Sequence, residues 1–133
     1  MSAVRTGIYS YFRSDNTAAL YTDLSGERLY YSEAVEQATL PYCVFQIYDE
    51  IPDETFDLDF EEALVQFSYY GSTADVVDDG AADIKTMFDN AAMTVAGHTV
   101  IRMKREFVFH PEKIMPDNIW VSIVRYSIFM VKN

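Results

Sequence analysis

The sequence predicts an α+β fold: a mainly antiparallel sheet, helices packed on one face, and a long C-terminal hairpin. Three observations carry this. In residues 63–70, Val65, Phe67 and Tyr69 fall on one side and Leu64, Gln66, Ser68 and Tyr70 on the other, the period of two that marks a strand. After Gly71, the residues Ala74, Val77, Ala81, Ile84 and Phe88 recur at three- and four-residue steps, with Asp75, Asp78, Asp79, Asp83 and Lys85 off that stripe. This is an amphipathic helix that needs a sheet to cover. The chain then closes with two long apolar-rich runs, Thr94 to His110 and Ile119 to Val131, joined through a tip that contains Pro111 and Pro116.

The strand-to-helix junction organises the rest. Gly71 permits the tight turn, and Ser72 with Asp75 forms a Ser-x-x-Asp pattern that offers acceptors to the first free N–H groups of a helix running to about Asn90. Asp78-Asp79-Gly80 also has the composition of a hairpin turn, but its flanks do not alternate as strands do. The helix is the better reading, with Gly80 costing it about 1 kcal/mol relative to Ala.

Upstream, Val4, Ile8, Tyr11 and Phe12 stand at i, i+4, i+7 and i+8, which predicts an amphipathic N-terminal helix. Asp15-Asn16-Thr17 interrupts it, Ala18 to Leu24 makes a short second helix, and Ser25-Gly26 ends that helix. Arg28 to Tyr31 reads as a short strand, and Ser32 to Thr39 as a connector or a single helical turn that Pro41 closes. Tyr42 to Asp49 is the first long strand, with Cys43, Phe45 and Ile47 opposite Tyr42, Val44, Gln46 and Tyr48. Both of its faces are largely apolar, which predicts a central position.

The next segment, Asp49 to Glu62, carries eight acids and reads as a solvated acidic connector. In the run from Thr94 to His110, strict alternation would put Thr99, Ile101, Met103, Phe107 and Phe109 on one face, and His98, Arg102, Lys104 and Glu106 on the other. The last strand is apolar on both sides: Ile119, Val121, Ile123, Phe129 and Val131 against Trp120, Val124, Tyr126, Ile128 and Met130. Helices can hide one face only. The second must lie under the folded-over hairpin or against another subunit.

A chain of 133 residues fits one domain spanning 1–133 and can bury roughly two-thirds of its unfolded surface. No repeat or linker divides it. Half of its residues are hydrophobic and 15% are aromatic, which excludes disorder as a description of the whole. One cysteine, Cys43, allows no internal disulfide; no signal-like or membrane-spanning run is visible, so the expected setting is a reducing cytoplasm. The net charge of -11 argues against a nucleic-acid grip. Its distribution is uneven: -14 up to Gly97 and +3 from His98 onward. Opposite signs at two ends suit a head-to-tail contact between copies, although solvated charged strands would look the same.

No catalytic set can be assembled. Cys43 sits mid-strand among apolar neighbours and lacks a basic partner. His98 and His110 mark two ends of one predicted strand, about 40 Å apart at strand rise, too far to share a metal or a proton. Asp57-x-Asp59-x-Glu61 has the spacing of a calcium loop, yet Glu62 stands where glycine is needed. Phosphate loops, Gly-x-Ser-x-Gly elbows and His-Glu-x-x-His motifs are missing from the sequence. The expectation is a protein that is no enzyme and takes no cofactor or metal.

Taken together, the two N-terminal helices ending in Gly26, the Arg28-Leu29-Tyr30 strand, the Leu40-Pro41-Tyr42-Cys43-Val44-Phe45-Gln46 run into a central strand, the strand-then-helix unit and the closing hairpin resemble a known family. They are similar to the tail-completion proteins of long-tailed bacteriophages, also called tail-to-head joining or tail terminator proteins. The resemblance covers nearly the whole chain and rests on hydrophobic pattern plus the Pro-Tyr strand start.

That resemblance implies a structural virion protein, assembled in the host cytoplasm and located at the head–tail junction. Copies would form a ring, usually six-fold, that caps the finished tail tube and presents a surface to the head connector. DNA would pass through without being held. An acidic bore suits that passage because like charges repel phosphate, and Asp53, Glu54, Asp57 and Asp59 are the candidates for its lining. For the subunit contact the candidates are Arg102, Lys104 and Arg125 of one copy against Asp78, Asp79 and Asp83 of the next. At the hairpin tip, Ile114 and Met115 are candidates for docking to the tube or the connector. The alternatives are another head-completion or neck protein, or a small acidic module that binds a protein partner by its sheet edge.

Overall fold

A five-stranded sheet in the order β1-β2-β3-β5-β4 forms the frame of the computed structural model. The description covers residues 2–34, 38–55, 58–115 and 117–133, without the side chains of Ser2, residues 49–60 and His110. Along the chain come α1 (Ser2–Arg13), α2 (Ala19–Asp23), β1 (Leu29–Tyr31), β2 (Tyr42–Thr55), β3 (Leu58–Gly71), α3 (Ala74–Phe88), β4 (His98–Ile114) and β5 (Ile119–Lys132). Only β1 and β2 pair in parallel; every other neighbouring pair is antiparallel. The fold is thus α+β, with a long C-terminal hairpin and helices on one face.

The core lies between that sheet face and the helices. Val4, Ile8 and Phe12 of α1 and Val77, Ala81, Ile84 and Phe88 of α3 are buried together with Cys43, Phe45, Val65, Phe67 and Tyr69. From β5 come Val124, Tyr126, Ile128 and Met130, all fully buried. Phe67 stacks on Phe88 with ring centres 4.6 Å apart and meets the Tyr126 ring edge-on at 5.9 Å. The stripes of α1 and α3 therefore meet the sheet faces expected from their periodicities.

Helix α3 is fastened at both ends. Its cap is Thr73, in extended conformation, whose hydroxyl accepts from the Val76 N–H at 3.2 Å. The sequence pattern favours Ser72, one residue too early, because Asp75 already belongs to the first turn, where its charge complements the helix dipole. At the same end, four residues into the helix, the Val77 carbonyl accepts from the Ser122 hydroxyl of β5 at 2.6 Å, in a buried position. At the far end Asn90, with a φ of 54°, donates its N–H to the Met103 carbonyl of β4. Gly80 has a reason beyond flexibility. Its Cα lies over the buried Tyr69 ring, and a methyl group there would come within 2.5 Å of the ring's Cγ.

Three expectations change. The acidic stretch from Asp49 to Glu62 is no loose connector: β2 and β3 continue through it as a paired ladder from Asp49↔Leu64 to Thr55↔Leu58. Cross-strand backbone bonds pair the segment despite the self-repulsion that the acid count suggests. The faces of β4 are also redistributed. Register shifts at Val100/Arg102, Arg105/Phe107 and Phe109/Glu112 each break the alternation. Met103 lies in the core, as its alternation implies, while Phe107 and Phe109 leave that face and join Arg102 and Lys104 on the opposite one. Finally, β4 runs on through Pro111 to Ile114, so the hairpin turns later than the prolines suggest.

Candidate assembly surface

The sheet face opposite the helices is uncovered among the described residues. The β4–β5 hairpin lies in the plane of the sheet, beside β3, and does not fold back across it. That face is built from alternate residues: Tyr42, Val44, Gln46 and Tyr48 of β2, Gln66, Ser68 and Tyr70 of β3, and Val121, Ile123, Arg125 and Phe129 of β5. From β4 it gains Phe109, Phe107, Lys104 and Arg102.

At its centre stands Arg125. One guanidinium nitrogen, Nη2, donates to the Gln66 side-chain carbonyl at 2.7 Å. The guanidinium carbon sits 4.6 Å from the Phe107 ring centre and 5.2 Å from that of Tyr48, so two rings flank one cation. Its Nε is buried and has no hydrogen-bond partner among the described residues. Tyr48 in turn donates its hydroxyl to the Gln46 side-chain carbonyl at 3.2 Å.

Aromatic pairs flank this centre on both sides. Phe107 and Phe109 meet edge-to-face at 4.9 Å, and Tyr42 stacks on Tyr70 at 5.0 Å. Tyr48 is 53% exposed and Phe109 49%, unusual for rings that share one face. Exposed rings of this kind on one sheet face are costly in water. Ile114 and Met115 add to this exposure at the hairpin tip, where Met115 reaches 67%.

The charged candidates are placed on two sides of the sheet. Arg102 and Lys104 are exposed on edge strand β4, and Asp78 and Asp79 are exposed on α3, across the sheet. Two further candidates are engaged within the chain. Arg125 is held by Gln66 and the rings, and Asp83 is half-buried beside Asp23 of α2. Burial, a hydrogen bond with the Asp23 carboxyl and the charges of Asp23 and Asp79 push Asp83 up to about 7. Asp53 and Glu54 lie on β2 and Asp59 on β3, with their side chains outside the description; Asp57 lies outside the described residues altogether.

One polar network escapes detection in the sequence. Tyr126 donates its hydroxyl to Asp89 at 2.6 Å, and the Arg105 guanidinium bonds the other Asp89 oxygen at 3.1 Å. Burial and the Asp89 carboxylate push the Tyr126 hydroxyl well above its ordinary range. Strict alternation places Arg105 beside Phe107 on one face, and only the bulge between them turns Arg105 toward the helices. His98 lies 2.8 Å from a Glu61 carboxylate oxygen, across β5. Cys43 is fully buried, which pushes its thiol far up and leaves it inert. Among the described residues no three metal-ligating side chains cluster, and no helix is long and apolar enough to cross a membrane.

The fold has solved counterparts. No protein-family model matches this chain, and no curated protein matches it by sequence. A chain from the virion of a native gene transfer agent particle superposes with a TM-score of 0.75 at 12% identity, over 99% of this chain and 96% of that one. A second solved protein, whose name describes no role, gives a TM-score of 0.60 at 12% identity, covering 99% of this chain and 95% of its own. At such identities the likeness is one of fold: the same α+β arrangement over nearly the full length of all three chains.

Proposed function

We propose that this chain is a structural virion protein of a tailed phage or phage-like particle, a tail-completion protein that forms a ring at the head–tail junction. The observation that carries the reading is the full-length fold likeness to a chain of a gene transfer agent virion. The uncovered sheet face supports it, since an aromatic surface around Arg125 is costly for a chain that acts alone. So does the placement of charge: bases on edge strand β4 and acids on α3 and the β2–β3 hairpin suit a contact between unlike surfaces of successive copies. Such contacts close into a ring when the rotation from copy to copy closes.

In this reading the ring caps the tail tube and meets the head connector, with Ile114 and Met115 at the exposed tip reaching one of them. Asp53, Glu54, Asp57 and Asp59 face the bore, where like charge keeps DNA from sticking. The protein performs no catalysis. The test is genetic and structural: particles purified from the source virus contain the chain at the neck, and lysates lacking it accumulate filled heads and separate tails. Complete particles in such lysates would overturn the proposal. Reversing the four acids should slow DNA ejection, and unchanged ejection would remove them from the bore.

A further inference from the structure

The two edges of the sheet differ in charge at the same height. At one edge β1 pairs with β2 only from Cys43 to Phe45, so among the described residues no strand covers β2 from Ile47 to Thr55. This bare stretch carries Asp49, Glu50, Asp53 and Glu54 and no base. At the other edge is β4, whose outer side no described strand covers. Between Thr99 and Lys104 it carries Arg102 and Lys104 and no acid, while Arg105 turns away to Asp89.

The register places these stretches level. One row across the sheet runs Asp49, Leu64, Ser127, Lys104; the second row beyond it runs Ile51, Glu62, Phe129, Arg102. Another runs Asp53, Phe60, Val131, Thr99. Of the acids of β4, Glu106 stands in the bulge between the rows that end at Ile47 and Gln46, short of Asp49, and Glu112 shares its row with Tyr42, beside the part of the edge that β1 guards. Three antiparallel steps separate β2 from β4, so the two run in opposite directions. A neighbour displaced by one sheet width therefore brings its β2 antiparallel to this β4 with the rows still level.

We infer that successive copies dock edge to edge, the basic stretch Arg102 to Lys104 of β4 against the acidic pair Asp49 and Glu50 of the next copy's β2, which leaves Asp53 and Glu54 to the bore. The inference rests on the ring reading and assigns the acidic partner to β2 instead of α3. Pro52 donates no backbone hydrogen bond and the bulges of β4 interrupt its edge, so the contact belongs to the charges more than to a continuous backbone ladder. Like edges repel each other, which disfavours a two-fold dimer through β4 and favours propagation in one direction.

The experiment is a charge exchange in the intact virus. The pair Arg102→Glu and Lys104→Glu should abolish incorporation of the chain into particles and lower the yield of infectious virus, with the purified variant still folded by circular dichroism. Adding Asp49→Lys and Glu50→Lys should restore both; adding Asp78→Lys and Asp79→Lys should not. As an arm independent of charge, Asp49→Cys with Lys104→Cys should give a disulfide-linked ladder of multimers from oxidised particles. Buried Cys43 should leave the parent without one. Rescue by the α3 reversals, or a ladder from Asp78→Cys with Lys104→Cys alone, overturns the edge assignment and leaves the ring standing. Absence of the chain from wild-type particles overturns both.

Discussion

Gly80→Ala separates helix propensity from packing at one atom. In an isolated helix the change is favourable by about 1 kcal/mol, because alanine loses less backbone freedom than glycine. Here the added methyl group would meet Cδ1, Cε1 and, at 2.5 Å, Cγ of Tyr69. That ring is 1% exposed, on the sheet face beneath α3, and cannot swing into solvent without opening the core. Overpacking of this kind costs roughly 1–3 kcal/mol, and with the ring fixed the upper part of the range applies, so the net loss is about 1–2 kcal/mol. With a urea m-value of about 2 kcal/mol/M the midpoint falls by roughly 0.5–1 M, with m unchanged. Urea titration followed by circular dichroism reads this directly. In a Tyr69→Leu background, where the ring plane is gone, the same substitution should become neutral or stabilising, a coupling that a double-mutant cycle measures. A higher midpoint for Gly80→Ala in the parent chain would refute the close approach of α3 to β3.

Ser122→Ala removes the hydroxyl that donates to the Val77 carbonyl and should cost about 1 kcal/mol in the same titration. Tyr126→Phe leaves Asp89 with Arg105 alone and should cost about 1–2 kcal/mol, and adding Arg105→Ala should cost less than the two single losses together. Asp83 gives a pH signature: with its carboxyl raised to about 7 in the folded chain, the fold retains a proton that the unfolded chain releases above about 4. Stability should therefore decline as pH rises from about 4 to about 7 and level off above that, apart from other groups, and Asp83→Asn should flatten this part of the profile measured by urea midpoints. A steeper decline in the variant would contradict the shared proton with Asp23.

Much of the fold was legible because its longest signals are local. The stripes of α1 and α3 and the alternation in Cys43 to Ile47 and Val65 to Tyr69 each depend on a few neighbouring residues, and each lies where its period implies. The two-sided apolar character of β5 likewise announced a sheet interior with one face left for something other than helices. What stayed hidden depends on partners far away in sequence. Residues 49–55 and 58–62 read as a connector because the ladder that pairs them is made by backbone groups, which composition does not report. In β4 the three register shifts set which residues face the helices, and neither glycine nor any other local marker stands at Ile101 or Glu106. Alternation counted through them misassigned Phe107 and Phe109, which do not share the inward face of Met103. The site was therefore legible as a list of charges and illegible as a surface.

An edge contact made by charges depends on salt. Both charged stretches lie on strands at the rim of the sheet, and Arg102 and Lys104 are exposed, so their attraction to a neighbour's acids is screened over a Debye length of about 8 Å at physiological salt. The aromatic face around Arg125 carries no such dependence, because burial of apolar surface persists or strengthens with added salts such as sulfate. If edge charges set the approach of copies, association should slow as sodium chloride rises while contacts already made persist. If the aromatic face dominated, added salt would leave the rate of association unchanged or raise it. Following the rate at which purified chain complements particles that lack it, at about 50 and 500 mM salt, distinguishes the two. Association that quickens with sodium chloride would assign the approach to the rings of Tyr48, Phe107 and Phe109 and leave Arg102 and Lys104 as solvated edge residues that merely keep β4 from pairing with itself.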